Sequence, residues 1–547
     1  MKRLFSILLT GTALIAAVSC NNPQKMAEAA DQIKIECTPE VLEVVAGEIN
    51  ADVKVTFPPD YFQPKYTLTI TPVIVYEGGE AIGQPFVYQG EKIADNFKTV
   101  SKKNGATIRE DIHFNYIPGM EKCRLVARAK VSDGKKEYAY PADIRIADGA
   151  NTTYMLVGKN GIFDLIPDEY EEVIPETAEA QILYLVNSAE VRKSQVQSND
   201  MEDFVDIIGQ MTSDPRSKVK GTKIIAYASP EGDVKHNNQL SSGRDKSAKQ
   251  AFDQLTKKVN TGEVETRSIG EDWEGFRELV ANSSIEDRDL ILRVLSMYSD
   301  PNVREREIRN LSSVYKSLAD NILPELRRAR FITTVEYTNY SEAELRDLLE
   351  NNITELDEEA LLRVATLVKG DARYAAYDQA IKKYNSDRAK YNAACISLKS
   401  QDVARAESYL EKVKDKNTPK VQNLLGVVAL RKDNLEEAAR CFAAAGDEGK
   451  YNQGILNIWK GDYKNAAKLL KGQGGTTEAL AQILTGDLDG AWKTLETHDC
   501  TKTNYMRAVI SARKGQNDKV KEYVKVASAD ARLAARAATD VEFAKVR

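Results

Sequence analysis

The stretch Ile224–Ala248 reads I-I-A-Y-A-S-P-E-G-D-V-K-H-N-N-Q-L-S-S-G-R-D-K-S-A. The apolar residues of Lys223–Ala228 predict a strand. Ser229-Pro230-Glu231-Gly232 then reads as a turn, because Pro presets φ and Gly permits positive φ. The periodicity that follows predicts a helix over Leu240–Leu255. Arg244 would lie in the first turn of that helix, where a cation opposes the helix dipole. It is either a solvated residue of that turn or has another task, on a ligand or as a structural anchor.

Upstream, Met201–Met211 carries apolar residues at helical spacing (Phe204, Val205, Ile207, Ile208, Met211) and reads as a helix. Ile182–Ser188 precedes it, and Leu326-Arg327-Arg328-Ala329-Arg330-Phe331-Ile332-Thr333-Thr334-Val335 lies downstream. Together these segments resemble an OmpA-like, peptidoglycan-binding domain, in which Ile182–Ser188 matches the first strand with its Asn-Ser exit and Leu326–Val335 the closing Arg-Arg motif and last strand. The helix opening Asn-x-x-Leu-Ser-x-x-Arg is present as Asn237, Leu240, Ser241 and Arg244. The resemblance implies an α+β domain over 180–338 whose cleft grips the amino and carboxylate ends of a cell-wall diaminopimelate. The arginine fork suits the carboxylate. Ser229 stands where that family keeps an aspartate. Serine accepts a hydrogen bond but supplies no charge, a loss of about 1–3 kcal/mol, or roughly ten- to a hundred-fold in affinity. Glu231 is two residues away and is the candidate substitute. The implied cleft is Ser229, Asn237 and Arg244 with Arg327 or Arg328. A helical insert over 271–325, containing Trp273, precedes the closing strand. It covers the cleft, forms a partner surface or simply decorates the fold.

The chain opens Met1-Lys2-Arg3, followed by an apolar run to Val18 and then Ser19-Cys20. A charged start, a short apolar run and small residues mark a secretory signal. The run is shorter than the ~20 residues a membrane helix needs. Cys20 after small residues resembles a bacterial lipobox, which implies cleavage before it, acylation and lasting anchorage by several chains. The alternative is an ordinary signal peptide with a coincidental cysteine. Asn21 is not the aspartate that retains lipoproteins in the inner membrane, and residues 22–27 lack an acidic surface-export cluster. The expectation is an outer-membrane lipoprotein facing the periplasm.

Net charge is −6 over 547 residues, with acids and bases interspersed, which argues against nucleic acid as a partner. An apolar content of 42% supports folded domains, and the length suggests about three. The three histidines (His113, His236, His498) are far apart, and there is no Cys-x-x-Cys. A metal centre, a triad or a cofactor site is not expected, nor is an enzyme. Cys37 and Cys123 either pair in an oxidising periplasm or are two buried small hydrophobes. Cys395, Cys441 and Cys500 are expected in the core of helical repeats.

Residues 21–32 read as a polar tether. Over 33–150, period-two runs such as Ala51–Phe57, Tyr66–Val73 and Arg124–Val131 alternate with Gly/Pro/Asp turns, which predicts an antiparallel β-sandwich. Residues 151–179 read as a linker with one further strand at Thr153–Val157. From 341 to 547 the chain is Ala-rich and helical. Gly426, Ala438, Phe442 and Ala445 resemble the signature of a tetratricopeptide repeat, with weaker copies near positions 364, 394, 454, 479 and 508. Intervals of roughly 25 to 32 residues are shorter than the ~34 of that family. The implied concave face binds a partner protein, or the array is a rigid spacer. The fold class is therefore multidomain: an all-β sandwich, an α+β domain with a helical insert, and an all-α solenoid. The leading functional expectation is a non-enzymatic scaffold of an envelope assembly, tethered to peptidoglycan through a degenerate cleft. The alternative is a protein-docking adaptor in secretion or outer-membrane assembly, with no cell-wall ligand.

Overall fold

The computed structural model describes residues 22–285, 287–310 and 312–546. The expected signal peptide and Cys20 lie outside these residues. The chain divides into two compact units: one runs up to Ile166 and resumes at Asp387, the other spans Pro167–Ser386.

In the first unit, Lys34–Thr38, Leu42–Val45, Glu48–Phe57, Ala106–Asn115 and Ala150–Asn151 build a five-stranded sheet. A seven-stranded sheet is centred on Thr67–Tyr76 and Arg124–Ser132. Alternation along Glu48–Phe57 buries Ile49, Ala51, Val53, Val55 and Phe57, the period of a strand with one wet face. Phe57 meets Tyr88 of the other sheet edge-on, with ring centroids 5.0 Å apart. Two pairings are parallel, Ala150–Asn151 with Leu42–Glu43 and Tyr88–Gly90 with Lys98–Val100, so the sheets are not purely antiparallel as expected. Cys37 and Cys123 are buried and free, and burial pushes the Cys123 thiol up to about 11.

The tether expectation is corrected over most of its length. Pro23–Glu28 is a helix, capped by the Asn22 side chain, whose Met26 and Ala27 are buried. The Tyr61 hydroxyl donates to the Met26 carbonyl at 3.0 Å. The expected strand at Thr153–Val157 is a 3-10 turn at Thr153–Leu156. Its polar groups bond to the C-terminal end of the chain instead of a sheet: Arg536 donates to the Thr152 carbonyl at 2.7 Å and Thr153 donates to Glu542 at 3.1 Å. Tyr154 sits edge-on to Trp459 at 5.1 Å.

The rest of this unit is helical hairpins. Asp387–Lys399 pairs with Val403–Glu411, Pro419–Arg431 with Leu435–Ala444, Lys450–Trp459 with Tyr463–Leu470, Gly475–Thr485 with Leu488–Leu495, and Thr501–Arg513 with Asn517–Ala527. The second helices repeat one device: Asp402, Asn434, Asp462 and Asp487 each cap the amide three residues on. Within hairpins, glycine lets helices approach closely. A Cβ on Gly426 would strike the Phe442 ring, and one on Gly454 would lie 2.6 Å from Leu470. Cys395 and Cys441 are buried as expected, but Cys500 is exposed. Cys500 caps the Thr501–Arg513 helix, and that terminal position keeps it out of the core.

The second unit holds a four-stranded sheet. Its elements are β1 (Val173–Leu183), α1 (Asn199–Met211), β2 (Ser217–Ala228), α2 (Val234–Leu255), β3 (Val264–Glu271), α3 (Trp273–Ala281), α4 (Arg288–Met297), α5 (Pro301–Asn310), α6 (Ser312–Asn321) and β4 (Arg328–Thr338). The sheet order is β1-β4-β2-β3, with β3 parallel to β2 and the other pairs antiparallel. β1 begins inside the expected linker and ends at Leu183, ahead of the expected end at Ser188. It is an edge strand, which is why Pro175 is tolerated in it. Its full length is held by β4, from Val173 opposite Thr338 to Leu183 opposite Arg328. β3 escaped the sequence reading because it is mostly exposed and lacks alternation. The core unites Phe204 of α1, Phe252 of α2 and Phe331 of β4, with Phe252 stacked on Phe331 at 5.5 Å. Helices α3–α6 carry a second core around Phe276, Ile291, Leu295 and Leu326.

The first three helices expected to open the array, Glu342–Asn351, Glu358–Leu367 and Asp371–Tyr384, belong to this unit. Ser341 and Glu344 form a reciprocal capping box, and Arg216 pairs with Glu344 at 2.7 Å. The Ser341 amide foremost, with Arg216 beside it, holds the Glu344 carboxyl down to about 2.

Truncating Phe331 to Ala removes the centre of the aromatic trio. A loss of about 3–5 kcal/mol is expected, read as a lower urea midpoint of the whole chain by far-UV circular dichroism. An unchanged midpoint would contradict the packing described.

Candidate ligand cleft

α2 starts at Val234, earlier than the expected Leu240, because the Asp233 side chain caps it by accepting the His236 amide at 3.0 Å. Arg244 therefore lies well inside the helix rather than in its first turn. The dipole argument for its special task does not apply, yet the residue is special for another reason: its side chain is fully buried. Nε donates to the Ser188 carbonyl at 3.0 Å, Nη1 to that of Tyr227 at 2.9 Å, and Nη2 to that of Leu185 at 3.2 Å. The guanidinium lies 5.0 Å from the centre of the Tyr184 ring, and the Tyr184 hydroxyl donates back to the Arg244 carbonyl at 3.0 Å. Residues 184–188, expected in a strand, are instead the loop that supplies two of these carbonyls, those of Leu185 and Ser188. Burial brings the Arg244 guanidinium down to about 10, which still leaves it cationic at neutral pH. Arg244 is thus an anchor joining the end of β2, the loop after β1 and α2.

Ser229 is also buried, and its hydroxyl donates to Glu231 Oε1 at 2.6 Å. The same oxygen accepts from Arg327, 3.0 Å from Nε and 2.9 Å from Nη2. Asn237 donates to the Glu231 carbonyl at 3.1 Å and to Glu271 Oε1 at 3.0 Å, while Trp273 Nε1 donates to the other oxygen of Glu271 at 2.9 Å. His236 and Asn187 are joined at 3.2 Å. Of these groups, Ser229, Glu231, Arg327, Asn237, His236 and Asn187 border an open cleft of about 330 Å³. The insert does not fill it. Glu305 of α5 accepts the Gly232 amide at 2.6 Å and pairs with Arg309, which lines the cleft.

Ser229, Asn237, Arg244 and Arg327 therefore come together, and Arg328 does not. Arg327 lies in the bend after the 3-10 turn Leu323–Leu326, whereas Arg328 is the first residue of β4. Arg328 pairs with Asp272 at 2.8 Å, reaches Gln181 at 3.3 Å, and lies over the Tyr227 ring. The sequence reading left open which of the two adjacent arginines would enter the cleft, and it did not identify Glu271, Asn187 or His236. Asn187 has φ of 52°, a conformation for which asparagine is suited, and that is the only local trace of its role.

Chemically, the Glu231 carboxylate and the Arg327 guanidinium of the cleft satisfy each other. No group of three or more His, Cys, Asp or Glu suited to a metal occurs among the described residues. No protein-family model matches the chain, and no match is found among curated proteins.

Replacing Arg244 with Ala removes a buried donor from three carbonyls, of which that of Leu185 keeps the Ser188 amide at 3.2 Å. A loss of about 3 kcal/mol or more is expected, measured by urea denaturation. Arg244→Lys should recover less than half of it, since a single ammonium does not span the three directions. Wild-type stability in either variant would refute the anchor role.

Proposed function

We propose that this chain is a non-enzymatic, lipid-anchored outer-membrane lipoprotein, with an OmpA-like domain and tetratricopeptide-like hairpins, that docks partner proteins in the envelope. In this reading the OmpA-like cleft is kept for its architecture and does not grip the cell wall. The observation that carries it is the Ser229–Glu231–Arg327 cluster. The carboxylate nearest the position of the missing aspartate is already held by a hydroxyl and a guanidinium. Arg244, the other half of the expected zwitterion grip, is spent on backbone carbonyls. Ser241, a second residue of the family signature, likewise works inward and accepts the Gly270 amide at 3.2 Å. Anchorage rests on the lipobox reading of Cys20, and docking rests on the hairpin array.

A cell-wall ligand stays as the second reading on one observation: the 330 Å³ of open room beside Glu231 and Arg327. A ligand's ammonium and carboxylate would there have to exchange with the existing ion pair. Sedimentation of the soluble chain lacking residues 1–20 with purified sacculi separates the two. The docking reading expects the protein in the supernatant, together with in-cell crosslinks to a defined envelope protein. Retention on sacculi that Arg327→Ala abolishes would establish the second reading instead. A chain found only as a lone monomer in cells would remove the first.

A further inference from the structure

The segment from Gly158 to Ile166 has no regular secondary structure, yet its main chain is held along the first helices of three consecutive hairpins. Asn452 accepts the Ile162 amide and donates to the Ile162 carbonyl, both at 2.8 Å. Asn423 donates to that carbonyl at 3.1 Å and accepts from Asn452 at 2.8 Å. Asn392 repeats the two-way bond on Ile166, at 2.8 Å in each direction. Between them the Tyr391 hydroxyl donates to the Asp164 carbonyl at 3.1 Å, and Arg431 donates to that of Asn160 at 2.7 Å. Residues 160, 162, 164 and 166 are thus bound through their backbone at every second position, the period of an extended chain.

The three asparagines are almost wholly buried, one on the first helix of each hairpin. A buried amide left unbonded costs about 1–3 kcal/mol. An array meant only to stack would place apolar residues there. These helices are instead built around an extended backbone. Side-chain selection enters at one place: Gly161 has φ of 65°, and a Cβ on it would come within 2.5 Å of Val427. Phe163 lies beneath the Arg431 guanidinium, and half of the Ile162 surface stays exposed, so the segment lies in an open groove rather than under it.

We propose that Asn160–Ile166 is an intramolecular ligand that fills a peptide-binding groove of the array. The groove takes in trans an extended peptide that carries glycine at the position of Gly161. The contacts are to main-chain atoms, so a segment from another protein satisfies them equally well. The tethered segment competes at an effective concentration on the order of millimolar, which closes the groove to weak partners. This holds whether or not the cleft of the other unit binds a ligand.

A labelled peptide with the sequence of residues 158–168 tests it by fluorescence anisotropy. The wild-type chain should show no saturable binding at micromolar peptide. The Gly161→Val chain, whose own segment no longer fits, should bind the unaltered peptide saturably and reject a peptide carrying the same Gly-to-Val change. Adding Asn423→Ala and Asn452→Ala should weaken binding at least tenfold. A Gly161→Val chain with wild-type circular dichroism that binds no peptide would overturn the proposal. Should that variant not fold, hydrogen exchange on the wild type decides. The Ile162 and Ile166 amides should exchange by local opening, faster than the interior of the Pro419–Arg431 helix, and faster still with millimolar peptide. Exchange only at the rate of that helix, unaffected by peptide, would identify the segment as fixed core.

Discussion

A fully buried guanidinium organises the sheet-bearing unit. Bringing a cation out of water costs several kcal/mol even after relaxation. Arg244 offsets this with three carbonyl bonds and an aromatic face. Its partners come from the loop after one edge strand and from the end of a central strand. Their positions are therefore set together, and the Ser229–Gly232 turn continues directly from that strand. What makes the arginine an effective anchor also makes it unavailable as a ligand-binding group, because its donors already point at backbone.

The neighbouring charges follow the same inward logic. Arg327, in the bend just before β4, pairs with Glu231 at the cleft, and Arg328, the first residue of β4, pairs with Asp272. Glu231, displaced two residues along a Pro-Gly turn from the position of an expected aspartate, meets Arg327 there. The insert helices add Glu305 and Arg309 at the rim rather than closing it. A cleft survives, but its charges are paired in advance.

The other unit solves a different problem, how to order a long irregular connection. The first helices of three consecutive hairpins each offer a buried asparagine, and an extended main chain crosses them. Backbone groups that would otherwise need water are satisfied by side chains. The repeated Asp or Asn cap at the start of the second helices keeps those hairpins in register. That cap, with the small residues beneath Phe442 and Leu470, is what shows as a periodic pattern in the sequence.

Local chemistry was legible directly. Period-two alternation announced the β-rich region, Ala-rich periodicity the hairpins, and the Pro-Gly pair the turn after β2. Cues that depend on partners were not. The helix after that turn starts at Val234 because Asp233 caps a polar stretch with no apolar rhythm. β1 lies in a segment whose Pro175 reads as a loop until an edge position excuses it, and β3 is too exposed to alternate. The helices after Ser341 join the sheet-bearing unit through Arg216, a contact across more than a hundred residues. The sequence by itself determined which elements form and which residue types flank the cleft, because propensity, capping and burial patterns act over a few residues. Only the tertiary structure decided that Arg244 anchors, that Glu231 and Arg327 neutralise each other, and that the connection at 160–166 fills the groove. Those outcomes depend on which distant carbonyl or carboxylate comes within hydrogen-bond reach, and no local pattern encodes that distance.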